Sequence, residues 1–312
     1  MATLTDAQTR PLFDQKWDLD VLQARYGEEI LGKAVLNKSA MIEESGEVIN
    51  ITIKPRVSGG TVGTDGGFTA EQITLTNVQV NVNTWRYVAH TITDKQASQA
   101  IVNLKEELSK QFGTKLAEFS EIDLATLLLS LSGGNDGLVA GQGLGTPGSG
   151  GLTFLPDTVL AAIKQLRKRN IPLDDMTWVL SPECFYDGWL SKDLTVAAYA
   201  TGESKSLLTT GKPAKMMIGG IPAYESTLLN GSSATDDSGT LLNAASGVNQ
   251  TGTTACALIH REALAIAKQI NMKSKFADTT PALQLANVAV THYLYGVRVV
   301  RASHGALIFV KN

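Results

Sequence analysis

Two stretches of this chain alternate apolar and polar residues almost without error. Val48-Ile49-Asn50-Ile51-Thr52-Ile53 has a period of two after Val48 and reads as a strand. Ile73-Thr74-Leu75-Thr76-Asn77-Val78-Gln79-Val80-Asn81-Val82 repeats the pattern, with one buried and one wet face. Between them, residues 58–67 carry five glycines in ten positions, a turn-forming tip. The spacing predicts a β-hairpin with arms of some 30 Å at about 3.3 Å per residue. A two-stranded hairpin is marginal alone in water, so its apolar face needs a partner surface. Trp85 to Thr93 is a third strand-like run that leads out of it.

The period then changes to that of a helix. Ile101, Leu104, Leu108, Phe112, Leu116, Phe119, Ile122 and Leu127 recur at helical spacing over residues 97–131, with Lys105, Glu106, Lys110, Lys115 and Glu118 on the other face. Asp94 or Ser98 is placed to cap its start. Continuous, it is a rod of about 50 Å at 1.5 Å per residue. Gly113 is a candidate bend. A glycine-rich loop covers residues 133–151. A helix from Pro156-Asp157 to Asn170 follows, with Val159, Leu160, Ile163 and Leu166 inward. Ile171-Pro172 stops it, and Thr177 to Leu180 reads as a buried strand. Ser181-Pro182-Glu183 then has the signature of a helix start, Ser as N-cap and Pro at the first position. Residues 231–254 are a polar loop. Ala255 to Ile259, Leu285 to Tyr293, Val297 to Val300 and Ala306 to Val310 read as strands. Residues 1–44 have apolar residues too scattered to close a core locally, so this segment packs on the body of the chain or on a neighbour.

Composition narrows the classes. Hydrophobic residues make up 43% of the 312 positions and charged residues 18%, enough for a sizeable core. A net charge of -3 leaves no global basic face for wrapping nucleic acid. No apolar run approaches the roughly 20 residues of a membrane helix. The opening residues lack the pattern of a secretory signal. Cys184 and Cys256 are far apart in the chain with no CxxC partner, which favours reduced, buried thiols in a reducing compartment.

Chemical motifs are sparse. Gly143-Leu144-Gly145-Thr146-Pro147-Gly148 matches GxGxxG, but a helix precedes it, a proline interrupts it and the next helix starts eight residues later. A dinucleotide site needs strand, loop and helix in that order, so a plain loop is the better reading. His90, His260, His292 and His304 have no ligand spacing. Asp174-Asp175 and Asp236-Asp237 read as solvated turns. Cys184 falls in a helical first turn with no basic partner implied, the setting of a structural thiol. Lys164, Arg167, Lys168 and Arg169 cluster at a helix C-terminus, where the helix dipole favours them; a contact with a neighbouring subunit or nucleic acid is the alternative. No catalytic, cofactor-binding or metal-binding residue emerges.

The order of elements resembles the major capsid protein of tailed bacteriophages, the Hong Kong 97-type fold. That fold is α+β: an N-terminal arm, an extended β-hairpin loop, a long spine helix, a peripheral domain and an axial domain. On this resemblance residues 1–44 correspond to the arm and 45–83 to the extended loop. Residues 84–176 correspond to the peripheral domain with the spine helix, 177–269 to the axial domain, and 270–312 to return strands of the peripheral domain. Asn170-Ile171-Pro172, Trp178 to Tyr186, Ile218-Gly219-Gly220-Ile221-Pro222, His260-Arg261-Glu262-Ala263 and Tyr293 to Val299 carry the likeness, which spans nearly the whole chain.

The resemblance implies a structural protein, not an enzyme, with no cofactor. It would assemble as pentamers and hexamers into an icosahedral head enclosing double-stranded DNA, held by weak non-specific contact. It implies a virion capsid built in the host bacterial cytoplasm, with a portal protein, a cement protein and no membrane. Some relatives carry a scaffolding segment before the arm; here Met1 opens the arm, which favours a separate scaffolding protein. Some relatives cross-link a hairpin lysine; residues 58–67 have none, and Lys54 near the base is a poor substitute. The expected inter-subunit contacts are Gly59, Gly60, Thr61, Val62, Asp65, Gly66, Gly67 and Phe68 at the hairpin tip, and Phe13, Trp17, Leu22 and Tyr26 on the arm. Two alternatives remain: an encapsulin-type compartment shell, and a nucleotide-binding enzyme using Gly143 to Gly148.

Overall fold

A computed structural model of the chain describes residues 20–21, 29–42, 46–53, 57, 59–62, 64–67, 72–93, 104–134, 143–145, 152–182, 184, 217–226, 229, 249–250, 253–278 and 286–311. Phe13, Trp17, Leu22, Tyr26 and Phe68 lie outside these residues, as do 94–103 before the long helix and most of the helix expected after Ser181.

Among the described residues the elements run α1 (Leu31–Ala34), β1 (Leu36–Asn37), β2 (Val48–Ile53), β3 (Thr76–Asn81), β4 (Thr84–Thr93), α2 (Leu104–Leu128), α3 (Pro156–Lys168), β5 (Met176–Leu180), β6 (Met217–Ile218), β7 (Ile221–Glu225), β8 (Asn249–Gln250), β9 (Thr253–His260), β10 (Leu264–Asp278), β11 (Ala286–Val299) and β12 (Gly305–Lys311). They build two larger sheets and a hairpin. The first sheet has the order β1-β10-β11-β4; the second runs β12-β9-β5-β7-β6; β2 pairs with β3. The two strands read at Leu285–Tyr293 and Val297–Val300 are one strand, β11, because Leu294 to Gly296 stay paired with β10 while its register shifts between Lys268 and Lys273.

Two readings of the C-terminal half change. The division at residue 269 falls inside β10, at the register shifts between Lys268 and Lys273, and the strand continues past them to Asp278. Residues 305–311, grouped above with the return strands, pair along their whole length with β9, from Gly305 opposite Ile259 to Lys311 opposite Thr253. The chain crosses from the second sheet to the first at residues 261–263 and returns at 300–304. The two crossings are tied where the amides of Val300 and Arg301 donate to the carbonyl of Ala263.

Helix α2 spans both sheets. At 1.5 Å per residue its 25 residues measure about 37 Å. Its buried seam runs Leu108, Phe112, Leu116, Ser120, Leu124, Leu128, a strict four-residue step. Such a row inclines about 26° to the helix axis, so it moves around the helix. The first half meets Tyr293, Tyr295 and Ala289 of β11. The second half, Leu124, Ala125 and Leu128, enters a core where Leu264 and Ile266 of the first sheet join Val179, Ala257, Ile259, Leu307 and Phe309 of the second. Phe119, Ile122 and Leu127, read as core positions, are only partly buried because the seam has turned past them. Gly113 sits inside the unbroken helix.

The second sheet is covered on its other face by α3, whose Val159, Ala162 and Leu166 pack on Trp178, Leu180, Leu258 and Ile308. Two-sided cover explains why all five residues of β5 are buried. Leu160, expected inward, is exposed. Helix α3 ends in a left-handed residue, Asn170 (φ 60°). Its amide donates to Arg167 O at 2.9 Å and that of Ile171 to Leu166 O at 3.3 Å, the paired bonds that close a helix C-terminus.

Candidate assembly interface

The hairpin is anchored at its base and bare beyond it. Ile49 faces Val80 and Ile51 faces Val78 across the β2–β3 ladder. Ile49, Val80 and Val82 are buried against Ala265, Ala267 and Val300, on the face of the first sheet opposite α2. The partner surface for this half of the apolar face is therefore the chain's own body. Six residue pairs form the ladder, about 20 Å of strand, so it is shorter than the sequence pattern suggests. Beyond it Val57, Val62, Ile73 and Leu75 expose large apolar side chains. Gly59, Gly60, Thr61, Val62, Asp65, Gly66 and Gly67 of the tip are all exposed. Asp65 Oδ1 accepts the amide of Gly67 at 3.3 Å, with Gly66 at φ +77°, a local turn.

A second bare apolar surface lies on β4, which among the described residues pairs only with β11 and ends the first sheet. Alternation along β4 sends Val88 toward α2 and Trp85 and Tyr87 to the opposite face, where both are 68% exposed. Arg86, also on the helix side, stacks its guanidinium 5.5 Å from the Phe119 ring centre and lies 3.9 Å from Asp123. Asp123 accepts a 2.5 Å hydrogen bond from Tyr295, and burial beside that carboxylate pushes the phenol's pKa up. Trp85 donates its indole N–H to His292 Nδ1 at 3.2 Å, which fixes the indole over β11. Exposed aromatics on an edge strand mark a contact surface more strongly than scattered apolar residues do.

The segment before β1 is fastened by buried charges. Lys268 on β10 places its ammonium 2.9 Å from both carboxylate oxygens of Glu29, and neither side chain is open to solvent. Glu121 on α2 accepts the amides of Leu31 and Gly32 at 2.8 Å each. Burial pushes the Glu121 carboxyl up to about 7, with Glu29 adding to the rise and the backbone amides opposing it. Thus residues 29–37 pack on the chain itself, Leu31, Ala34 and Val35 entering the core around α2 and β1 joining β10.

The glycine motif has a packing explanation. Leu144 bridges Ile308 at the outer edge of β12, and a Cβ on Gly143 would stand 2.2 Å from Leu307 O. A Cβ on Gly145 (φ +83°) would stand 2.7 Å from Phe309 O. These glycines let a strand-like loop cover the sheet edge, and no helix among the described residues starts there. Arg167 donates to Ile171 O at 3.3 Å and Arg169 to Gly133 O, so two members of the basic cluster serve the chain's own carbonyls.

The structure brings two of the four histidines together. His260, Glu262 and His304 place ligand-type atoms within 4.8 Å of one another, at the two inter-sheet crossings. Two of the three groups are already engaged: His260 Nδ1 accepts the Glu262 amide at 3.2 Å, and Arg301 lies 3.6 Å from the Glu262 carboxylate. Burial and the Arg301 charge hold the His304 imidazole down near 4, the neutral form.

No protein-family model matches the sequence, and no curated protein does. Solved structures do match along nearly the full length. The capsid of cyanophage P-SCSP1u superposes with a TM-score of 0.64 at 14% identity, covering 91% of this chain and 88% of that one. The mature capsid of bacteriophage PhiM1 gives 0.64 at 15% identity, covering 91% and 87%. This chain has the fold of phage capsid proteins. The virus-like particle of Pyrococcus furiosus gives 0.56 at 8% identity, covering 95% and 99%.

Within this capsid fold the residues that sequence reasoning missed are Trp85, Tyr87, Glu29, Glu121 and Lys268. Trp85 and Tyr87 left a signal, two large aromatics one period apart on a strand-like run. The three charged residues left none, since each reads as an ordinary surface charge until α2, β10 and the segment before β1 are packed together.

Proposed function

We propose that this chain is the major structural protein of a tailed-phage head, a self-assembling shell subunit and not an enzyme. The observation that carries the reading is the hairpin: its base is buried on the chain's own first sheet, while Val57, Val62, Ile73 and Leu75 beyond it have no cover. A body of the capsid fold with an anchored, apolar projection is built to lie over a second copy. On this reading residues 1–44 are the arm, 45–83 the extended loop and α2 the spine helix. The second sheet is the core of the axial domain, and the first sheet that of the peripheral domain.

Pentamers and hexamers would tile the shell, each weak contact multiplied by closure. A scaffolding protein, a portal, a cement protein and packaged double-stranded DNA are the partners that go with such a shell. Among the described residues no helix is long and apolar enough to cross a membrane. The subunit would assemble in the bacterial cytoplasm and end in the virion.

The test is negative-stain microscopy beside sedimentation velocity, for the parent chain and for a chain lacking residues 58–67. Closed or partial shells, or rings of five and six, from the parent and heat-labile or absent shells from the deletion support the reading. A parent that stays monomeric with a candidate scaffold added overturns it. The likeness to the virus-like particle of Pyrococcus furiosus supports a second reading, an encapsulin-type compartment. Protein cargo rather than DNA inside native particles would favour it.

A further inference from the structure

Cys184 and Cys256 are the chain's two cysteines, 72 positions apart. Their sulfurs nevertheless sit 2.9 Å from each other, and neither side chain is exposed. Strands β5 and β9 bring them together: the antiparallel register runs from Met176 opposite His260 to Val179 opposite Ala257, and Cys256 follows where the chain leaves β5. Ser181, itself fully buried, touches both cysteines, Cys184 through its amide and Cys256 through its sulfur. Its Oγ accepts the amide of Cys184 at 3.2 Å and lies 3.8 Å from Cys256 Sγ, and its amide donates to Cys256 Sγ at 3.5 Å.

We propose that this pair is a covalent redox site that closes to an intrachain disulfide under a peroxide-class oxidant. One thiolate attacks a peroxide oxygen, the O–O bond breaks, and the sulfur becomes a sulfenic acid as water leaves. The second sulfur, already in contact, attacks the first; the S–O bond breaks and a second water leaves. The thiols lose two protons and two electrons, and hydrogen peroxide is reduced to two waters. Contact at 2.9 Å makes this second step faster than further oxidation of the first sulfur. Both cysteines are fully buried, so the reaction requires an oxidant as small as a peroxide and excludes a glutathione-sized disulfide. The new bond ties the exit of β5 to β9 across the second sheet, closing a long loop that the unfolded chain would otherwise leave open. This holds whether or not the chain builds a shell.

The experiment treats the purified full chain with hydrogen peroxide until the exposed Met41 is oxidised to sulfoxide, then unfolds and alkylates it. The expected result is loss of both alkylatable thiols, a linked 184–256 peptide pair within one chain, and recovery of both thiols with reductant. The melting temperature of the oxidised chain rises by roughly 5–10 °C. Cys184→Ser and Cys256→Ser abolish the link and the rise, and Ser181→Ala slows closure. Two alkylatable thiols persisting beside Met41 sulfoxide, sulfinic acid at either cysteine of the parent chain, or linkage only between chains overturns the proposal.

Discussion

Gly296 of β11 lies directly under the carbonyl of Asn81, where the hairpin meets the body: a Cβ at Gly296 would stand 2.1 Å from Asn81 O and 3.0 Å from Val82 Cα. A backbone carbonyl has nowhere to retreat to while Val80 and Val82 remain buried. The base of the projection therefore depends on one missing side chain near the C-terminal end of β11. Gly296→Ala is expected to lift the end of β3 from the sheet at a cost of about 2–3 kcal/mol. Thermal denaturation reads the loss, and proteolysis within residues 54–75 reads the freed hairpin. An unchanged melting temperature with an unchanged cleavage rate would contradict this docking.

Trp85 and Tyr87 give the complementary experiment at the open edge of the first sheet. Both are largely solvated in the single chain, so Trp85→Ala with Tyr87→Ala should change its stability by less than about 1 kcal/mol. If β4 is a contact surface, the same double variant loses particle formation. Circular dichroism melting on dissociated subunits and light scattering during assembly separate the two effects. Normal shells from the double variant would remove β4 from the interface.

Glu121 makes stability depend on pH with a definite sign. Its carboxyl sits at about 7 in the fold against 4.5 for the free side chain. The folded chain therefore holds a proton that the unfolded chain releases between these values, and stability falls as pH rises from 4.5 to 7, then levels. The shift corresponds to an upper limit of roughly 3 kcal/mol. Urea denaturation at pH 5 and pH 8 measures it. Glu121→Gln should flatten the difference, at the expense of one of the two amide bonds to Leu31 and Gly32.

Lys268 and Glu29 form the other half of that junction. Replacing Lys268 with Met leaves a carboxylate buried without its cation, which costs about 3–5 kcal/mol. The double replacement Lys268→Met with Glu29→Leu should recover most of the loss, because the expense comes from the stranded charge. A double variant as unstable as the single one would show that the pair acts mainly through its shape.

The hairpin, the long helix, α3 and β5 were legible because each carries its own period. Alternation at Ile49, Ile51, Val78 and Val80 needs only the pleat of a strand, and the recurrence from Leu108 to Leu116 needs only a helical turn. The end of α3 at Asn170 was legible for the same local reason, since a helix stop is made by residues a few positions apart. The covering of the hairpin base was not legible. An alternating face says that something must lie against it, and nothing in Ile49 or Val80 says whether that is Ala265 of the same chain or a neighbour.

The sequence by itself determined the hairpin, β4, the two long helices, β5, β9 and β12, their order, and the apolar excess that a projecting hairpin carries, while β10 went unread. These follow from torsional preference and from side-chain spacing, which act over a few residues. Tertiary structure alone decided that Leu124 and Leu128 enter a core shared by both sheets, and that residues 305–311 join β9. It alone placed Glu29 and Glu121 together beside Gly32, and Cys184 against Cys256. Each of these joins positions dozens to hundreds of residues apart. Such contacts come from competition among buried surfaces and desolvated charges for one packed arrangement, a property of the whole chain that no local window contains.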